Sequence, residues 1–416
     1  MPLQEYAAFA RANLRFLAFG FVVAFTSSAG QTFFIGVFGP EVRSTFDLSH
    51  TEWGSIYLVG TLASALALTW TGSLIDRFDL RLFTACAIGG LAVACWVMSA
   101  TASVLMLVVA IFLLRQMGQG LTSHAASTSM ARYYIGTRGK ALALMSIGFT
   151  TGEALLPVLA VTAIAAWGWR ESYAGTGVLV TCMIPFVLWL LKGHGERHAR
   201  HLYEMEKESE GNEALTTSRT RWDMLRDGRF YLLLPAICAP SYIVTAMFFH
   251  HLTLAEAKGW SAAWVTGSYW AFGAGTVISL LASGPLIDRL TAARIMPFYL
   301  LPLAAGLLLL VPGSDPLWMI PYLLLGGLNS GVYFAGMTAL WAELYGVRYL
   351  GAIKSTAGAI TVFASALGPV TVGVMLDSGY SMEAVCLAFA AYCLLATPPL
   401  ILALRRPAQG GRAPAA

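Results

Sequence analysis

GSLIDRFDLR, residues 72–81, is a charged joint between two long apolar runs. An altered copy, GPLIDR at 284–289 with Arg294 after it, begins 212 positions later. These joints stand out because charge is scarce elsewhere. Of 416 residues, 57% are hydrophobic and 12% charged, against ~45–50% and ~25% in soluble domains; the mean hydropathy is +0.67. The charges are clumped, which leaves spans of about 20 residues that match the ~30 Å hydrocarbon core of a bilayer. In lipid the backbone must satisfy its own hydrogen bonds, so these spans are expected to be helices. The expected fold class is an all-α, polytopic membrane protein.

Outward from the first joint, apolar runs mark twelve helices: near 14–39, 52–75, 82–101, 104–131, 139–166 and 171–191, then 229–254, 262–287, 293–312, 315–342, 350–376 and 382–404. With the N-terminus inside, only Arg43, Arg170 and Lys258 fall in outward loops. Arg115 lies within a helix, and the other 22 of the 26 basic residues fall on the inner side. That asymmetry predicts cytoplasmic termini, in a bacterial inner (plasma) membrane, and it accounts for the net charge of +4 without a nucleic-acid partner. Apolar sequence from Leu14 to Gly39 is too long for a signal h-region, so an uncleaved first helix is expected. Six cysteines, Cys86, Cys95, Cys182, Cys238, Cys386 and Cys393, lie inside apolar spans without C-x-x-C spacing and read as small buried hydrophobes.

The organisation expected is a six-helix bundle over 1–191, a polar cytoplasmic linker over 192–228, a second bundle over 229–404 and a disordered tail over 405–416. In the linker, His194, His198 and His201 have helical spacing and read as a solvated face. The stretch 219–226, with Trp222 and Leu225 among arginines, reads as a segment lying along the headgroups. The two bundles read as a duplication. Ala131-Arg-Tyr-Tyr134 is echoed by Ala342-Glu-Leu-Tyr345 and Gly120 by Gly331, each 211 residues on, as parallel transporter repeats would show.

The first joint resembles the loop between helices two and three of the major facilitator superfamily, Gly-x-Leu-Ala-Asp-Arg-x-Gly-Arg-Arg/Lys, through Gly72, Leu74, Asp76, Arg77 and Arg81; Asp79 and Leu80 depart from it. The copy at Gly284, Asp288 and Arg289 occupies the corresponding loop between helices eight and nine. On helix four, Arg115-Gln-Met-Gly118-Gln119-Gly120 is similar to the family's Arg-x-x-x-Gly-x-Gly pattern. The resemblance implies two six-helix bundles and transport by alternating access. Ala131-Arg-Tyr-Tyr134 with Arg138-Gly-Lys140 resembles the start of helix five in monocarboxylate-transporter-like members, although helix one lacks that branch's Asp/Glu-Gly pair. Gly148, Gly152 and Pro157 resemble the helix-five pattern of drug/proton antiporters, with Glu153 where those carry Pro.

A charge at the bilayer centre costs about 2.5–3.5 kcal/mol on insertion scales, so it needs a partner or a purpose. Arg115 lies about eleven residues, roughly 16 Å, from the outer end of helix four, and Glu153 about fourteen residues, roughly 21 Å, from the inner end of helix five. Both reach mid-depth. They are expected to pair or to share a cavity, with Arg115 holding a substrate anion or the Glu153 carboxylate, and Glu153 carrying a proton. A permanent ion pair clamping the two helices is the structural alternative. Gln119 shares the Arg115 face. The family's geometry, in which helices one, four, seven and ten line the cavity, adds Ser27, Gln31, Tyr242, Asn329 and Tyr333. His250 and His251 are expected to face the outer interface, and Tyr269 and Trp270 to supply shape. Gly72, Asp76, Arg77, Arg81, Gly284, Asp288 and Arg289 are expected to gate, Asp76 by facing the start of helix eleven, whose N-terminus is partially positive.

No Gly-x-x-x-x-Gly-Lys-Ser/Thr loop points to an ATP-driven pump, and no His/Asp/Glu cluster has metal or nucleophile spacing; no enzyme activity, metal or cofactor is expected. The leading expectation is a secondary transporter, working as a monomer in the lipid bilayer, that moves a small organic anion with protons. Proton-coupled efflux of drugs or amphipathic metabolites is the alternative within transport. A non-transporting sensor or scaffold is the alternative of another class.

Overall fold

The computed structural model describes residues 9–134, 137–197, 220–346 and 349–405, with the side chain of Asp288 left aside. No strand occurs among the described residues. Eleven helices are long and apolar enough to cross a membrane, or twelve when one bent pair counts as a single span. That pair is α1, Leu14–Gly30 with Thr32–Phe46. It is followed by α2 (His50–Asp76), α3 (Leu80–Ser99), α4 (Val104–Tyr133), α5 (Arg138–Trp167) and α6 (Trp169–Leu190). The others are α7 (Gly228–Lys258), α8 (Ala262–Ile287), α9 (Ala292–Leu310), α10 (Pro316–Tyr345), α11 (Leu350–Asp377) and α12 (Met382–Arg405).

The expected single first helix is corrected: α1 bends by 44°. Ser27–Gly30 tightens into a 3-10 turn, Gln31 leaves the helix at φ −88 and ψ 156, and Thr32 restarts it. Two serines and a glycine in four residues weaken the helix there, and close packing against α4 holds the break open.

Two compact units divide the described chain. One comprises residues up to Leu48 together with those from Ser55 to 197; the other comprises Ser49–Gly54 and residues from 220 onward. In the first, α1 packs on α5 and α6, and α3 on α6. In the second, α7 packs on α11 and α12, and α9 on α12. The same pairings thus recur six helices later. Without a hydrophobic drive between helices in lipid, such contacts rely on small residues that let backbones approach. Between α8 and α10, for example, a Cβ on Gly327 would fall 2.9 Å from the Thr276 nitrogen.

The two joints are built differently. In the first unit, Gly72–Asp76 forms a 3-10 turn, and Asp79 caps α3 by accepting the Arg81 N–H at 2.8 Å. Asp76 pairs with Arg132 of α4, which also donates to the Ile75 carbonyl at 3.4 Å. In the second unit Thr291 takes a φ of 73, and the start of α9 is capped from α10 instead. Glu343 accepts the N–H groups of Ala292 and Ala293 at 2.7 and 3.1 Å. Arg132 and Glu343 occupy equivalent repeat positions, so opposite charges serve each joint from the same place. Arg77 and Arg289 are exposed and Arg81 is half-buried. A Cβ would meet only ordinary contact at Gly72 and nothing at Gly284.

The expectation of a solvated histidine face fails at His194. Its ring is buried, stacked on Phe16 at 5.8 Å and edge-on to Tyr133 at 4.9 Å, because Lys192–Arg197 folds back onto α1 and α4. His198, His201 and the tail beyond Arg405 lie outside the described residues. A short helix, Arg221–Arg226, opens on a capping box between Thr220 and Asp223. Trp222 is exposed and Met224 buried.

At the start of α7, Asp227 and Arg229 form a buried pair at 2.8 Å, joined by the Tyr345 hydroxyl. Burial pushes the Asp227 carboxyl up, but the hydrogen bonds and charge of Arg229 outweigh it and hold the group below its ordinary value of 3.8. A depressed folded value stabilises the protein above the unfolded value, about pH 4, and the contribution is lost as pH falls through the folded one. Asp227→Asn is therefore expected to lower the melting temperature at neutral pH, with the two melting curves converging as pH falls below about 4 and wild-type Asp227 protonates. Curves that stay parallel over that range would contradict this.

Candidate functional site

Arg115 opens the unusual segment of α4. From Arg115 to Thr122 the helix widens into a π-helix, a form that recurs at functional sites. Gly118 lies within this wide turn against the break in α1. A Cβ on Gly30 would lie 2.7 Å from the Gly118 Cα and closer still to the Leu114 carbonyl oxygen. The two irregular backbones therefore meet at glycine, and this approach carries the Arg115 side chain to the break.

The guanidinium is 1% exposed. Its Nη1 donates to the Gly30 carbonyl and to Thr32 Oγ1, both at 3.3 Å. It lies 5.2 Å from the centroid of the Tyr57 ring on α2, close enough for a cation–π contact. The Tyr57 hydroxyl in turn meets Thr32 Oγ1 at 2.5 Å. Arg115 Nε is buried without a hydrogen-bond partner, and so are Ser28 Oγ in the 3-10 turn and Thr122 Oγ1 at the end of the π segment. Next to Arg115, Gln116 bridges Ser64 at 3.1 Å and Thr71 at 2.8 Å, tying α4 to α2.

Of the two arrangements expected for Arg115 and Glu153, a pair or a shared cavity, the pair does not form: among the described residues neither side chain has a salt bridge. The reason is geometric. The π turn and the break steer the guanidinium towards Gly30, Thr32 and Tyr57. Glu153, 6% exposed on α5, follows Gly152, whose missing side chain leaves room for Ser28. A buried guanidinium and a buried carboxyl thus stand apart in one unit. Of the other expected residues here, Gln31 forms the extended link of the break, Ser27 donates back to Ala24 at 2.7 Å, and Gln119 is half-buried in the π segment.

In the second unit the expected residues fall into an aromatic layer. Tyr242 packs edge-on to Phe389 and Tyr392, with centroids at 5.5 and 5.9 Å. Tyr333 stacks on Tyr299 at 6.2 Å. Asn329, fully buried, donates to the Tyr299 carbonyl at 2.7 Å while its Oδ1 has no partner. A largely apolar cavity of about 450 Å³ lies among α7, α11 and α12, lined by Cys238, Tyr242, Phe363, Thr371, Phe389 and Tyr392.

The two histidines of α7 do not face an interface. His251 is fully buried, its ring nitrogens bonded to the Tyr269 and Tyr322 hydroxyls at 3.0 and 3.1 Å. His250 bonds the Pro369 carbonyl at 3.0 Å. Position in the span suggested the interface; tyrosines on α8 and α10 supply the partners that make burial tolerable. Trp270, in contrast, is exposed.

Thr32 and Tyr57 were not anticipated as site residues. The run Ser27-Ser28-Ala29-Gly30 in an apolar span was the one signal that could have located the break; nothing local marks Tyr57.

The family model described as Major Facilitator Superfamily matches residues 20–311 and 262–416. Among solved structures, a bacterial homolog of the human lysosomal transporter Spinster, in an inward-facing and occupied conformation, is similar with a TM-score of 0.72 at 14% identity, covering 99% of each chain. The nucleoside transporter NupG is similar with a TM-score of 0.72 at 11% identity, covering 95% of this chain and 99% of that one. No curated protein matches the sequence.

Proposed function

The chain belongs to the Major Facilitator Superfamily, whose fold it shares with known transporters, and on that premise we propose that it is a secondary active carrier of a small organic anion, coupled to protons. The observation that carries this reading is Arg115: a fully buried guanidinium at a broken helix, with spare donor capacity and no carboxylate in salt-bridge range among the described residues. A buried charge of this kind is costly unless it is paired, and an anionic solute supplies the pair. Glu153 is the proton carrier: it is a buried carboxyl that shares the first unit with Arg115 and makes no salt bridge to it. The joints act as gates, with Asp76 and Arg132 holding the first and Glu343 the second. The carrier works as a monomer by alternating access, in a bacterial plasma membrane with both termini in the cytoplasm. The monocarboxylate-like start of α5 narrows the solute to compact carboxylates.

The test is counterflow and proton-driven uptake of labelled carboxylates in proteoliposomes at two pH values. Glu153→Gln is expected to keep exchange but to lose proton-driven accumulation and its pH dependence. Unchanged accumulation and pH profile would remove the carrier role from Glu153. One observation favours a second reading. The apolar, aromatic cavity at Tyr242 suits an amphipathic compound, and transport of apolar cations with indifference to carboxylates would replace the anion reading by proton-coupled efflux.

A further inference from the structure

The break in α1 leaves two backbone poles. On the carbonyl side, Gly30 is satisfied by Arg115. On the amide side, the chain restarts at Thr32, and the helical stretch Thr32–Phe46 begins with no side-chain cap from Gln31. The first N–H groups of a helix have no intrahelical acceptor and carry the positive end of its dipole. Such an end attracts anions, yet on its own it is only a helix start. The second observation is Arg115, whose buried Nε is without a partner while Nη1 of the same guanidinium touches Thr32 Oγ1. Ser28 Oγ, on the other flank of the break, is also buried without a partner.

Resting on the anion-transport reading, we propose that the carboxylate of the solute caps the second half of α1 at Thr32, one oxygen accepting the Thr32 backbone N–H and the other accepting from Arg115. The break in α1 is then a binding element and not merely a bend. A carboxylate fits because its two oxygens meet donors of two kinds, and charge-assisted hydrogen bonds of this sort are roughly twice as strong as neutral ones. One guanidinium balances one negative charge, so the site selects monocarboxylates over their neutral amides and over dianions.

Proline at position 32 isolates the backbone N–H. It is well tolerated as the first residue of a helix, and it requires an extended residue before it, which Gln31 already is. Thr32→Ala removes only the hydroxyl; Thr32→Pro removes the hydroxyl and the N–H. Both are compared with wild type by thermal stabilisation with acetate, propionate and benzoate, each against its amide. Thr32→Pro is expected to bind the carboxylates at least about tenfold more weakly than Thr32→Ala, the value of one hydrogen bond to a charged group, while amides stabilise none of the three proteins. Should Thr32→Pro fail to fold, replacing Thr32 by its α-hydroxy acid, which turns the N–H into an ester oxygen, makes the same comparison against wild type with the hydroxyl kept. Equal carboxylate binding with and without the N–H, with Arg115→Ala still abolishing it, would overturn the cap and leave anion transport standing. No stabilisation of wild type by any of the carboxylates would overturn both.

Discussion

Arg115→Ala is expected to abolish stabilisation by carboxylates and to reduce their counterflow by at least about 30-fold, since truncating one partner of a buried charged contact costs about 2–5 kcal/mol. The substitution acts twice. It removes the one buried guanidinium at the break, and it strips the Gly30 carbonyl of the donor that lies 3.3 Å away, an orphaned buried acceptor costing about 1–3 kcal/mol. Arg115→Lys separates the two effects. An ammonium keeps the charge, but it lacks the planar fork that reaches a carbonyl, a hydroxyl and a ligand together. Lysine is thus expected to restore part of the binding and little of the transport. If Arg115→Ala left carboxylate counterflow intact, the guanidinium would be a brace for the broken helix and nothing more, and the anion reading would fall with it.

Gly30→Val is expected to yield no monodisperse folded protein. Even the first added carbon would sit 2.7 Å from the Gly118 Cα and nearer to the Leu114 carbonyl oxygen, both backbone atoms of one helix. Backbone cannot rotate aside as a side chain does, so relief requires α1 and α4 to separate. Overpacking alone costs typically about 1–3 kcal/mol, and separation would also remove the Arg115 contacts at the break. Gly139 provides the control, since nothing lies within 4 Å of a Cβ there. Gly139→Ala, inside α5, is expected to match or slightly exceed wild-type stability through the better helix propensity of alanine. Size-exclusion profiles and melting temperatures in detergent read both. Well-folded Gly30→Val would mean that the approach of the two helices is looser than their geometry implies.

Much of the architecture was legible in the residues. Eleven of the twelve expected spans were located to within a few residues of where the helices run, because a membrane helix is specified by length and composition within one stretch. The joint motif, and the likeness of Arg115–Gly120 to the family's helix-four pattern, pointed to the family that the family model matches. The interior was less legible. Glu153 was expected beside Arg115 because depth along two helices can be counted, whereas rotation about them cannot. His250 and His251 were assigned to the interface for the same reason. Depth is a one-dimensional quantity, and partners depend on the other two.

By itself, then, the sequence determined that the chain crosses a membrane many times, where eleven of the twelve helices run, and that Arg115 and Glu153 lie within spans, since all three follow from local hydropathy and helical rise. Only the tertiary structure decided that α1 is broken at Gln31, that α4 is a π-helix from Arg115 to Thr122, and that the guanidinium reaches a carbonyl 85 positions away along the chain. The joint at 72–81 shows the same division. Its charges and its echo could be read directly, while its pairing with Arg132, 56 positions from Asp76, could not. The physical reason is that such contacts depend on how closely two helices approach and how each is rotated, and both are settled by residues distant in sequence.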